Sequence, residues 1–169
     1  MYTLFYFVDT ILSKTFTQKG IFMNTPTIEL LEDCNSGCKM GLNSIRQVYD
    51  FVNSPSLQQT LSLYEEKHKQ LETLSADLLA EHGKCEQDPN VVVTTLSWLS
   101  TEVKLYLNSR TDYIAKLLIN GCDMGIESLQ KKLEKYNDAD TVALDLCNRI
   151  IALEQDFKND LSMSCSTRI

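Results

Sequence analysis

The sequence predicts an all-α four-helix bundle, built from two helical hairpins joined by a long crossover that carries an extra short helix. Three observations carry this. The stretch GCKMGLNSI at Gly37–Ile45 recurs as GCDMGIESL at Gly121–Leu129, 84 positions on, with Gly, Cys, Met, Gly and Ser at matching places. Each copy lies in a segment of helical apolar period and is followed by a turn and a second such segment, as expected of a hairpin used twice. Three prolines and six glycines in 169 residues leave few helix breakers.

The first helix is predicted over about 27–52. Thr25-Pro26-Thr27 supplies a start, with Thr25 or Thr27 as N-cap and Glu29, Glu32 and Asp33 near the positive end of the helix dipole. Ile28, Leu31, Asn35, Cys38, Leu42, Ile45, Tyr49 and Val52 then follow in steps of three and four. Asn53-Ser54-Pro55-Ser56 is a turn in which Pro55 opens the second helix. That helix, about 55–82, runs along Leu57, Leu61, Tyr64, His68, Leu71, Ser75 and Leu78, and Gly83 stops it. A polar link at 83–90 leads to a short crossover helix at 91–108 containing Leu96, Leu99, Val103 and Leu107, with the single Trp98 as a lid over the bundle end. Ser109 or Thr111 caps the third helix, read in Ala115, Ile119, Cys122, Ile126, Leu129, Leu133 and Tyr136. Asn137-Asp138 turns the chain into a fourth helix, about 139–163, through Val142, Leu146, Ile150, Leu153, Phe157 and Leu161. Residues 23–163 thus form one domain and 164–169 a fraying tail. Residues 1–22, apolar but broken by Asp9, read as an extension upstream of a start at Met23.

Composition excludes several functions. A net charge of −7 and an isoelectric point near 4.8 disfavour nucleic acid and anionic membranes, which need basic surfaces. No run of 18 apolar residues is present, so no membrane span is expected. The six cysteines include no Cys-x-x-Cys pair and mostly fall on helices, which reads as reduced, cytoplasmic thiols behaving as small hydrophobes. Gly37, Gly41, Gly121 and Gly125 sit inside helices at a cost of about 0.8–1.0 kcal/mol each relative to Ala. They are expected to mark close approaches between helices; room for a small ligand is the alternative.

The chemistry worth testing is a metal site. Di-iron bundles take a Glu from each of two helices and a Glu-x-x-His from each of the other two, because two metals need bridging carboxylates and i, i+3 spacing sets Glu and His on one face. Glu65-x-x-His68 on the second helix is one such pair, with His68 on the apolar seam. The first and third helices place Asn35, Cys38, Leu42 and Ile119, Cys122, Ile126 where acids are required, and the fourth has no histidine. The remaining metal candidate is a mononuclear iron or other divalent-metal site of Glu65, His68 and Glu154. Without it, His68 is expected to hydrogen-bond to Tyr64 or to a neighbouring helix. Glu81, His82, Cys85 and Asp88 at the end of the second helix read as a solvated group.

TIELLEDCNSGCKMGLNSI, YIAKLLINGCDMGIESLQKKLEKYNDAD and ALEQDFKNDL resemble a group of small bacterial proteins, common in clostridia, within the ferritin-like superfamily of bundles related to rubrerythrin. The resemblance spans about 27–161. It implies a ferritin-like fold, a cytoplasmic setting and a homo-oligomer or protein partner, but no particular reaction. Of the iron-binding positions of ferritins and rubrerythrins, it matches Glu65 and His68 alone. The expected function is therefore a non-enzymatic interaction or assembly module without a complete di-iron site and without a resident cofactor. A metal-dependent oxidoreductase around Glu65 and His68 is the enzyme alternative.

Overall fold

The computed structural model describes residues 25–85 and 111–166, which form four α-helices and no strand. They are α1 (Thr25–Tyr49), α2 (Pro55–Glu81), α3 (Thr111–Lys135) and α4 (Thr141–Ser166). The proposed crossover helix, Trp98, Asp88, Ser109 and residues 1–22 lie outside the described residues.

Local chemistry sets the helix ends. At α1 the last residues tighten into i→i+3 bonds, Phe51 N to Val48 O and Val52 N to Tyr49 O, so the helix ends three residues earlier than the apolar period suggests. Ser54 caps α2, its hydroxyl accepting from Leu57 N, and Pro55 takes the first turn, where its missing N–H costs nothing. Gly83 terminates α2 with φ +70°, a conformation that disfavours any residue with a Cβ. Helix α4 starts at Thr141 rather than Ala139, and Asp140 caps it: its carboxylate accepts from Ala143 N at 2.8 Å. The far end of α4 extends to Ser166, beyond the expected limit at Met163.

Cross-helix contacts fix the topology. Asn35 on α1 meets Ser75 on α2, and Arg46 meets Glu65, so this hairpin is antiparallel. Cys147 on α4 reaches the Leu129 carbonyl on α3, and Lys158 pairs with Asp123, so the second hairpin is antiparallel too. Asp33–Lys132 and Glu29–Lys135 set α3 antiparallel to α1. Tyr64–Asp160 and His68–Glu154 set α4 antiparallel to α2. It follows that α2 and α3 run parallel, and that Glu81 and Thr111, the ends of the described helices on either side of the connection, lie at opposite ends of the bundle. Helix α1 touches all three others; α1 and α4 form the closer diagonal.

The core is one continuous cluster. Its register differs from the apolar period in two places. On α4, Val142 is 55% exposed, and the small Ala143 and Cys147 are buried instead, because α4 faces α1 across the diagonal as well as α3. On α2, Leu79 is buried more fully than Leu78. Thr27 does not act as a cap. It is buried, and its hydroxyl accepts the Asp140 backbone N–H at 2.8 Å, tying the start of α1 to the start of α4.

Candidate functional site

The middle of the bundle holds a buried imidazole–carboxylate pair. The apolar period of α2 turns His68 inward, and its ring is fully buried; Glu154, 8% exposed, comes from α4. His68 Nε2 lies 2.9 Å from Glu154 Oε1, and Nδ1 lies 2.7 Å from the Tyr64 carbonyl oxygen one turn earlier. A carbonyl only accepts, so Nδ1 carries a proton and donates it. One further proton then lies between Nε2 and the carboxylate. Whichever atom holds it, the pair is neutral overall, which makes it tolerable in an apolar interior. Phe157 packs edge-on to the imidazole at 6.0 Å and stacks on Tyr64 at 4.5 Å, while the Tyr64 hydroxyl donates to Asp160 at 2.8 Å.

The repeated glycines frame this pair. A Cβ on Gly41 would stand 2.6 Å from His68 Cδ2 and 2.7 Å from Nε2, so only glycine admits the ring there. Its repeat counterpart, Gly125, faces Glu154 at ordinary contact distance. Gly37 and Gly121 meet nothing within 4 Å, which corrects the expectation that all four glycines are close approaches. Successive residues four apart drift around a helix of 3.6 residues per turn, and only one of each pair reaches the seam.

Two thiols complete the surroundings. Burial pushes the Cys38 thiol well above the ordinary range, and the charges of Glu154 and Glu72 add to this. Burial likewise raises Cys122, and the Glu154 charge and a hydrogen bond to Glu154 reinforce it. These are protonated, inaccessible sulfurs, unlike the exposed thiolates that act as nucleophiles. Four helices therefore each supply a residue to the centre: Cys38, His68, Cys122 and Glu154.

The proposed metal trio does not assemble. His68 and Glu154 meet, but Glu65 lies on the outside of α2, partly exposed, with Oε1 2.6 Å from Arg46 Nε. The i, i+3 step rotates Glu65 about 60° from His68, enough to carry it out of the seam. Among the described residues, no group of three or more His, Cys, Asp or Glu side chains is placed to hold a metal ion. Three further acids pair at the surface: Asp33 with Lys132, Asp123 with Lys158, and Glu127 with Lys131. His82, half-buried, is 3.8 Å from Asp140 beside a shallow cavity of about 90 Å³ floored by Leu31, Leu78 and Ala143.

One buried polar group had no signal in the sequence. Glu72 is buried between its ion pair with Lys69, at 2.6 Å, and a network in which Asn35 donates to the Glu72 carbonyl and to Ser75. It falls one position off the apolar period and reads as solvent-facing.

Comparison with family models, curated proteins and solved structures gives no match to this chain. No described helix is long and apolar enough to cross a membrane.

Proposed function

We propose that this chain is a ferritin-like bundle that works as an interaction or assembly module, as a homo-oligomer or with a protein partner, and not as a di-iron enzyme. One observation carries the reading: the two central groups capable of acid–base or metal chemistry are spent on each other. His68 uses both ring nitrogens within the protein, and Glu154 faces it and the Cys122 thiol. His68 is fully buried and Glu154 nearly so, which leaves little of either to offer a substrate.

The parallel arrangement of α2 and α3 supports the ferritin-like assignment, because that superfamily places a long crossover between the two hairpins. Leu63, Met124, Val142 and Met163 expose apolar side chains on the helix surfaces, with Met124 at 71%. Flexible thioethers suit adaptable protein contacts. Light scattering on the purified chain across a concentration series tests the proposal: a defined oligomer, or a complex with one co-purified protein, is expected. A strict monomer that co-purifies with nothing refutes it.

A further inference from the structure

The geometry points to an oxidation lock: Cys34 and Cys147 are poised to form a disulfide that fastens α1 to α4 and so holds the two hairpins together. The register places them opposite one another independently of their chemistry. Thr27 and Asp140 are hydrogen-bonded across these parallel helices, 113 positions apart. Cys34 and Cys147 are separated by the same interval, about two helical turns further in. Both are fully buried, and α1 and α4 approach to Cα–Cα separations within 8 Å. Disulfides need roughly 4.4–6.8 Å between Cα atoms, a spacing found only between helices in direct contact. The Cys147 thiol donates to the Leu129 carbonyl oxygen at 3.9 Å.

Of this pair, Cys147 alone differs from the other core thiols in the direction of its bias. Cys38 and Cys122 both feel Glu154, which opposes the thiolate. Cys147 is lowered by the hydrogen bond from Cys34, while that bond and burial raise Cys34. Either sulfur can serve as the attacking one; with Cys147 in that role, Cys34 resolves.

Hydrogen peroxide balances the step. The Cys147 thiolate attacks one peroxide oxygen, the O–O bond breaks, and the departing hydroxide takes up the thiol proton as water. The Cys34 sulfur then attacks the resulting sulfenic acid, the S–O bond breaks, and a second water leaves with the Cys34 proton. Two thiols lose two electrons and two protons, and one peroxide becomes two waters. Because both sulfurs are buried, oxidation follows transient opening of the bundle, and the product closes a loop running from 34 to 147.

The test treats the folded full-length protein with hydrogen peroxide, then alkylates it under denaturing conditions for mass spectrometry. Alkylatable thiols are expected to fall from the six of the sequence to four, with a linked Cys34–Cys147 peptide, a raised thermal midpoint and reversal by dithiothreitol. Cys34→Ser and Cys147→Ser should each abolish that peptide. Both cysteines remaining alkylatable in the wild type, or either one found linked elsewhere or over-oxidised, overturns the inference. The wild-type peptide map decides this even if the variants fold poorly.

Discussion

Replacing Gly41 with alanine probes the centre of the bundle with a single methyl group. Propensity alone favours the change: alanine in a helix interior is worth about 0.8–1.0 kcal/mol over glycine. Packing opposes it. The new Cβ would sit 2.6 and 2.7 Å from two atoms of an imidazole already held at both nitrogens and flanked by Phe157. The ring cannot swing aside without lengthening a hydrogen bond, and overpacking of this kind costs about 1–3 kcal/mol. If the shift separates Nε2 from Glu154, the loss grows toward the roughly 3–5 kcal/mol of a broken buried pair. Packing therefore exceeds propensity, and Gly41→Ala is expected to be less stable than wild type by about 1–3 kcal/mol. Gly37→Ala, one turn away and with nothing within 4 Å, should gain up to about 1 kcal/mol. Urea unfolding followed by circular dichroism, with the slope checked for constancy, measures both. If Gly41→Ala proves as stable as Gly37→Ala, the imidazole is not wedged against α1 and the reasoning fails.

Four further outcomes are expected. His68→Leu leaves the Glu154 carboxylate buried and should cost about 3–5 kcal/mol, while adding Glu154→Leu should restore most of it; additive losses in this double-mutant cycle would contradict the pairing. Glu65→Ala removes only a half-exposed ion pair and should change stability by less than about 1 kcal/mol in the same unfolding assay. Gly83→Ala forces a Cβ into a positive-φ end and should cost about 1–2 kcal/mol, read from the thermal midpoint. Finally, stability should fall in alkali. Cys38 and Cys122 are raised in the folded chain, so above the ordinary thiol range of about 8.5 the unfolded chain releases protons that the folded chain keeps. That contribution is complete at neutral pH and diminishes as pH rises. Unfolding at pH 7 and pH 10, compared with a Cys38→Ala/Cys122→Ala variant, should show a shallower decline in the variant.

The fold was legible because its signals are local. Pro55, Gly83 and the three-and-four spacing of apolar residues act within a few positions, and the helix limits follow to within three residues. Of the matching glycines, Gly41 and Gly125 flank the bundle centre, while Gly37 and Gly121 meet nothing within 4 Å. What the sequence concealed was which faces meet. Glu154 and His68 are 86 positions apart, and periodicity says only that each lies on an inner stripe. The sequence offers them as partners in a metal site or leaves His68 hydrogen-bonded to Tyr64 or a neighbouring helix; the structure gives the hydrogen bonds, to the Tyr64 carbonyl and to Glu154. Glu65 and His68, as i, i+3 neighbours, share a side of a helix, yet 60° separates a buried position from one that reaches Arg46. Thr27 shows the same limit, resembling a cap in the sequence while serving as an acceptor for a helix 113 positions away.

Metal analysis tests the central claim most directly. Protein purified from cells grown with iron and zinc, gel-filtered and assayed for metal content, is expected to carry only trace metal, equal in wild type and His68→Leu. About one metal per chain in the wild type, lost in His68→Leu, would contradict an interior in which imidazole and carboxylate serve each other.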